Sequence, residues 1–462
     1  DSGKKTNLTK TFSSSGNRQA WTWSGWVKRS ALVASERQVL FGGYGANSDT
    51  EWLEFGFGQN NETDDSVYMT TSSINQGSTA VFRDVAAWYH YLVNYDGSNL
   101  KIYINNVLTL TKSLTGDRGI NGNWSHTIGK SPANTIRWFN GYLTDVYFVD
   151  GSTLTPSSFG AADSNGVWQR STYSGSYGTN GFHILDFANN ETIGSDTSGN
   201  GNTFTANNFS TTAGSGNDVL FDFPTNDTEN TDSGAGGEVI GNYCVFNSLN
   251  KGNDVTLSNG NLQAACTSSS KDGVFGTIGV SSGKYYWEVE LTSADGNTNA
   301  AIGVALGTLS PDAGSPTSAG AYFYSSYNGN KWLSSADSSY GASYTTGDII
   351  GVALDLDNTT LTFYKNGVSQ GNATTSLPSG TYFPYVGDNA NNSAQTVVAN
   401  WGQRAFSYSA PSNHKCLTTT SLPTPGVADG SDYFDAKLWT GTGSSQAINT
   451  YSFSPDMAWI KV

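Results

Sequence analysis

Apolar residues in this chain recur at alternate positions, in runs of four to eight separated by clusters of Gly, Asn, Asp and Ser. In "QAWTWSGWVKR", Trp21, Trp23 and Gly25 fall on one face of a strand and Thr22, Ser24 and Trp26 on the other. "WLEFGFG", "SVYMTT", "WYHYLVNY", "LKIYINNVLTL" and "GYLTDVYFVDG" continue this first set. "KYYWEVEL", "AAIGVAL", "DIIGVALDL", "LTFYKNGV" and "YFPYVGD" make a second. Short strands punctuated this regularly predict an all-β protein built from antiparallel sandwiches. One stretch, Lys28 to Phe41, carries helical spacing without clear caps, and its two ends read better as strands.

One hairpin is written twice. In "HYLVNYDGSNLKIYINNVLTL" the residues Asp96, Leu100, Tyr103, Asn105 and Val107 stand at the same relative spacings as Asp357, Leu361, Tyr364, Asn366 and Val368 in "GDIIGVALDLDNTTLTFYKNGVSQG". The pattern predicts an inward aromatic and an inward Val, with Asn at the turn, where a left-handed backbone is tolerated.

Composition divides the chain. Residues 1–160 hold the first strand set and 240–408 the second. Between them, 161–239 is polar, Gly-rich and irregular, yet Phe182, Leu185, Phe187, Phe204, Phe209, Phe221 and Phe223 are spaced through it as arms that pack on their neighbours. Residues 409–462 read as a Pro-containing linker followed by the opening of a third β unit. The start at Asp1 and the stop at "SPDMAWIKV" read as trimmed ends.

Of the 462 residues only 13% are charged, while 13% are aromatic, which argues for packed structure rather than disorder. A net charge of −15 disfavours nucleic acid and anionic membrane surfaces as partners. Cys244, Cys266 and Cys416 form no CxxC or Cys/His pattern and read as small buried hydrophobes. No apolar run is long enough for a spanning helix, and no signal peptide is visible.

The first strand set resembles the concanavalin A-like (laminin-G-like) jelly rolls, through "WTWSGWVKR" (21–29), "WYHYLVNYDGSNLKIYINNV" (88–107), "HTIGK" (126–130) and "FNGYLTDVYFVDG" (139–151). The second resembles a SPRY domain, also a concanavalin-like sandwich, through "SGKYYWEVEL" (282–291), "IGVAL" (302–306), the 347–368 hairpin and "YFPYVG" (382–387). One sandwich topology used twice accounts for the repeated hairpin. The bridge at 166–210 and "FSPDMAWIKV" resemble segments of tailed-phage structural proteins. That resemblance implies a tail-fibre-like component of a virion surface.

The residues offer little chemistry. Glycosidases of this shape use a Glu–x–Asp–x–x–Glu strand, which is absent. Glu51 and Glu54 are three apart, on opposite strand faces, and Glu288 and Glu290 belong to the SPRY-like pattern. "GVSQG" (367–371) matches an esterase elbow but ends a β-hairpin, where that nucleophile cannot work. His90, in "WYHYLV", reads as packing. Calcium is a possible ligand, with Asp64, Asp65, Asp96, Asp355 and Asp357 as carboxylates in turns. Loop-borne aromatics are candidate stacking platforms for a glycan or a partner: Trp124, Trp138, Tyr322, Tyr324, Tyr327 and Trp332. The last four lie in a stretch that in SPRY domains contributes to the recognition surface.

The expectation is therefore a non-enzymatic virion protein of a tailed phage, binding host-surface glycans or an envelope receptor and other virion proteins. By analogy with fibres it would be a homo-oligomer, a trimer. A decoration protein without its own ligand and a polysaccharide-degrading enzyme are the alternatives.

Overall fold

The computed structural model describes residues 4–460 except 33–36, 59–64, 185–192, 226–231, 268–270, 296–299, 313–317, 390–393, 438 and 449–450. Among the described residues the regular structure is all β, apart from single 3-10 turns. The ends of the Lys28–Phe41 stretch are strands, Trp21–Arg29 and Gln38–Tyr44; its middle lies outside the described residues.

The first sandwich pairs two sheets. One runs, in spatial order, Thr205–Asn207, Asn7–Thr11, Ser125–Ile128, Gln38–Tyr44, Trp52–Phe57, Ser66–Thr70 and Asn75–Val81. The other runs Phe182–Ile184, Gly141–Asp150, Trp21–Arg29, Trp88–Tyr95, Asn99–Ile104 and Val107–Ser113. Alternation places Trp21, Trp23 and Val27 in the core between them, beside Phe41, Phe55 and Tyr91. Gly25 shares that inner face, and a Cβ there would stand 2.8 Å from the Trp23 indole; glycine makes room for the ring. Trp26 and Ser24 face outward onto His90.

The second sandwich has the same plan. One sheet runs Phe246–Lys251, Gly273–Gly276, Tyr382–Asp388, Ala300–Leu306, Ala321–Ser325, Asn330–Leu333 and Ala336–Ser339. The other runs Val255–Ser258, Gln263–Thr267, Ala394–Asn400, Lys284–Ala294, Ile349–Asp355, Thr360–Lys365 and Val368–Thr374. Trp287, Trp401, Phe246, Tyr324 and Phe363 fill its core, with the three free cysteines buried.

The repeated hairpin occupies the same edge of both sandwiches. Asn105 (φ 47°) and Asn366 (φ 48°) are left-handed, as expected. Each also ties down the preceding strand. The Asn105 amide donates to the His90 carbonyl at 2.9 Å and its Oδ1 accepts the His90 N–H at 2.8 Å. Asn366 does the same with Ile349, at 2.8 and 2.9 Å. The side-chain parity differs from expectation. The core receives Leu100, Ile102 and Ile104 from one hairpin and Leu361 and Phe363 from the other, so Tyr103 and Tyr364 face outward. Val107 (66% exposed) and Val368 (65%) sit at the tips of the edge strands, where no opposing sheet covers them.

The bridge is less irregular than its composition suggests. Phe182–Ile184 and Thr205–Asn207 extend both sheets of the first sandwich, and Trp168–Arg170 pairs with Gly160–Ala162. Phe182 and Phe204 enter the first core, while Leu185 and Phe187 lie outside the described residues. The second sandwich extends past 408: Cys416 and Leu417 are core residues, and Thr418 pairs with Tyr243. No strand follows Asn400 among the described residues, so the expected third β unit is absent there. A strand exists only with a partner to complete its hydrogen bonds, and Met457 and Trp459 stay exposed without one.

A buried joint holds the two sandwiches. Lys28, on the outer face of the first, has a fully buried side chain and donates to Asp222 Oδ2 (2.9 Å), Asn242 Oδ1 (2.7 Å) and the Tyr243 carbonyl (2.8 Å). Asp222 also accepts from Trp88 Nε1 at 3.0 Å. The Tyr142 hydroxyl donates to the Gly260 carbonyl at 2.5 Å, and the Asn261 amide to the Ser30 carbonyl at 2.6 Å.

Candidate functional site

The aromatic stretch of the second sandwich divides by strand parity. Within Ala321–Ser325, Tyr322 and Tyr324 point into the core, where Tyr324 packs against Tyr344 and Phe363 and Tyr322 against Tyr382. Neither presents a ring to a ligand, which corrects their expected role as stacking platforms. Phe323, between them, faces outward. Trp332, on the next strand, is half-buried and lies parallel to Phe323, with ring centroids 5.7 Å apart and planes 10° apart. Tyr327, at the hairpin turn, is 69% exposed. Lys331 is anchored to the Ala373 carbonyl at 2.7 Å. The outer surface of this sheet thus carries Trp332 over a floor of Phe323, Phe275 and Phe383, with Tyr327 exposed at the hairpin turn. Sequence reasoning missed that floor. The signal for it was "AYFYS", a run apolar on both faces, which marks a strand covered on both sides.

In the first sandwich the two candidate tryptophans are already engaged. Trp124 donates its indole N–H to the Gly119 carbonyl (2.8 Å), and the Arg18 guanidinium lies 4.6 Å from the ring centre. Trp138 donates to the Thr135 carbonyl (2.8 Å), with the Lys130 ammonium 5.4 Å from its ring. A sugar stacking on either would meet a ring with one face taken by a cation.

The carboxylates serve the fold. Asp65 is buried between Arg29 (2.8 Å) and Arg83 (3.1 Å), which supply the positive charge a cation would bring. Asp96 accepts the N–H groups of Ser98 and Asn99 in a turn. Asp355 pairs with Lys284 at 2.9 Å, and Asp357 accepts the Gly283 N–H at 2.8 Å. Asp64 lies outside the described residues. Among the described residues no group of three or more His, Cys, Asp or Glu side chains converges. Glu54 is fully buried and accepts from Ser131 Oγ (2.5 Å) and Arg137 Nη1 (3.1 Å). Glu288 accepts the N–H groups of Ser407 and Tyr408, both at 2.8 Å, and burial pushes its pKa up. Ser369 of "GVSQG" lies in the edge strand Val368–Thr374, away from any strand-to-helix turn.

His90 and His126 are buried and packed, as read for His90. Its Nδ1 accepts from Trp168 Nε1 (3.0 Å), so Nε2 carries the proton and donates to Ser24 Oγ (2.8 Å). Burial lowers its pKa to about 3. His126 Nε2 accepts the Asn121 N–H (3.0 Å), and burial lowers its pKa to about 4.

Fold and surface together define a protein of two antiparallel β-sandwiches. Residues 2–158 match the concanavalin A-like lectin/glucanases superfamily and residues 284–403 the SPRY domain family. The chain therefore carries a concanavalin-like domain and a SPRY domain. The chain is 34% identical over 129 residues to the Ran-binding proteins 9/10 homolog of Drosophila melanogaster, covering 28% of this chain and 13% of that protein. It is also 34% identical over 125 residues to Ran-binding protein 9 of Danio rerio, covering 27% and 20%. The chain thus spans a fifth or less of the length of these relatives. Among solved structures, the SPRY domain of human HERC1 is similar at 23% identity, with a TM-score of 0.31, covering 33% of this chain and 96% of that one. The TRIM65 PSpry domain is similar at 17% identity, with a TM-score of 0.28, covering 34% and 92%.

These relatives correct the virion reading. The matching proteins are animal Ran-binding proteins, so the expected phage tail fibre, its place on a virion surface, its host-glycan or envelope receptor and its virion partners all fall. The fibre-like trimer loses its basis with them. The physical reason is that alternating strands specify a sandwich, and a sandwich serves proteins of unrelated setting.

Proposed function

We propose that this chain is a non-catalytic binding protein whose SPRY sandwich recognises a protein partner through the surface around Tyr327 and Trp332. The first sandwich, locked to it through Lys28 and Asp222, sets the orientation of that surface. The observation that carries the reading is the half-buried Trp332 seated on Phe323, with Tyr327 exposed at the turn of the same hairpin, within a segment that matches the SPRY family. A half-buried indole on a rigid strand is pre-ordered and loses little entropy on binding, the usual character of an interface anchor. The similar proteins are named for binding Ran, which makes a protein ligand the first class to test. The engagement of Glu54 and Glu288 by structural donors supports the absence of catalysis.

The test is calorimetric titration of the purified chain with Ran and with ligands selected from a displayed peptide library. Trp332→Ala or Tyr327→Ala should weaken a selected ligand about 10- to 30-fold with the fold intact by circular dichroism. Ligands that bind both variants as tightly as the parent, or selection of no protein ligand at all, would refute the reading. Loss of polysaccharide viscosity on adding the protein would refute its non-catalytic part.

A further inference from the structure

The strand Gly141–Asp150 does not run straight against Trp21–Arg29. Its register shifts between Thr144 and Tyr147, a β-bulge, and Asp145 within it adopts φ 47°. A left-handed, non-glycine residue in a strand costs free energy and persists only where its surroundings hold it. Here they do: Asp145 pairs with Arg170 at 3.0 Å and with His183 at 3.4 Å, both from the bridge. Bulges re-aim side chains, and they concentrate beside binding sites.

Beside this bulge lies a partly open cavity of about 130 Å³, between the edge of the first sandwich and the bridge. Its apolar wall includes Leu143, Val146, Ile184, Ile193, Phe209 and Leu220. The carboxylates at its margin are occupied, Asp218 by Lys4 and Asp222 by Lys28. Thr144 also lines it; this residue is 4% exposed, and among the described residues its hydroxyl has no hydrogen-bond partner. A buried, unpaired hydroxyl costs free energy that a ligand's polar group would recover. The lining also contains Trp88 and Tyr142, both pinned by the joint between the sandwiches, which limits how far the cavity can close in on itself.

We propose that this cavity is a binding site for a small, mainly apolar molecule of single-ring size carrying one hydrogen-bonding group, such as a phenol, with Thr144 Oγ1 as its polar contact. An apolar cavity of roughly 150 Å³ is enough for benzene. The class follows from the lining: the wall recognises a ring or short branched chain, and the Thr144 hydroxyl selects one polar substituent.

The experiment titrates the full chain with phenol and with benzene, following methyl resonances of Leu143, Val146, Ile184 and Ile193 and the thermal midpoint. Phenol should shift these methyls saturably and bind about tenfold tighter than benzene. Thr144→Val, which removes the hydroxyl at constant shape, should abolish the preference and leave benzene binding intact. Two cavity-filling variants from different elements, Leu143→Phe and Phe209→Trp, should weaken both ligands. Absence of saturable shifts with either molecule, or unchanged binding by a folded filling variant, overturns the site. Equal affinity for phenol and benzene in the parent overturns the role of Thr144.

Discussion

Replacing Lys28 with methionine removes the ammonium that joins the two sandwiches while keeping most of the side-chain volume. The parent ammonium is fully buried and has three acceptors, at 2.7 to 2.9 Å. Its loss leaves Asp222, equally buried, with the Trp88 indole N–H (3.0 Å) and the Tyr243 N–H (3.3 Å) but no counter-charge. Removing one partner of a buried ion pair costs about 3–5 kcal/mol, because the survivor remains an uncompensated charge. The Asn242 and Tyr243 oxygens also lose a donor, at roughly 1 kcal/mol each if no water replaces it. Asp222 keeps two donors, which offsets part of the loss, so the net expectation is about 3–5 kcal/mol. Guanidinium denaturation followed by tryptophan fluorescence and by far-ultraviolet circular dichroism measures it. The two probes should also separate into distinct transitions, since the sandwiches lose their shared anchor. Adding Asp222→Asn should recover about 2 kcal/mol by removing the stranded charge. A loss below about 1 kcal/mol for Lys28→Met, with coincident transitions, would refute the reasoning.

Three further outcomes follow from the same structure. Asn366→Ala forces a Cβ-bearing residue without the cap into a left-handed turn and leaves the Ile349 N–H unpaired, for about 2 kcal/mol in urea denaturation, whereas Asn366→Gly should cost about half as much. His90 and His126 have folded pKa values of about 3 and about 4, below the ordinary 6.5, so the unfolded chain binds their protons more tightly. Their contribution is whole above the ordinary value and is lost as pH falls toward the folded ones; the acid side of the stability profile should flatten in His90→Gln, and an unchanged slope would contradict the assignment. The three cysteines are buried, with burial pushing Cys244 up to about 11 and Cys266 up to about 12, so an aromatic disulfide reagent should label none in the native protein and all after unfolding.

The period-two alternation was enough to show two sandwiches, because burial on one face of a strand leaves its mark every second residue. Trp21 and Trp23 on one face and Trp26 on the other were legible that way, and the left-handed Asn105 and Asn366 were legible from their place at a turn. Residue parity within an unbroken apolar run was not. "AYFYS" has no polar face to set its direction, so only the sheet packing decided that Tyr322 and Tyr324 point inward and Phe323 outward beneath Trp332. The joint is the plainest case. Lys28 and Asp222 stand 194 residues apart, and nothing local marks either as buried. The bulge at Asp145 is similar, for its bend is held by Arg170 and His183, which the bridge brings from elsewhere. Local pattern determined which residues form strands. The long-range return of the bridge across the first sandwich decided what those strands enclose, because an ion pair or a cavity exists only once distant segments meet.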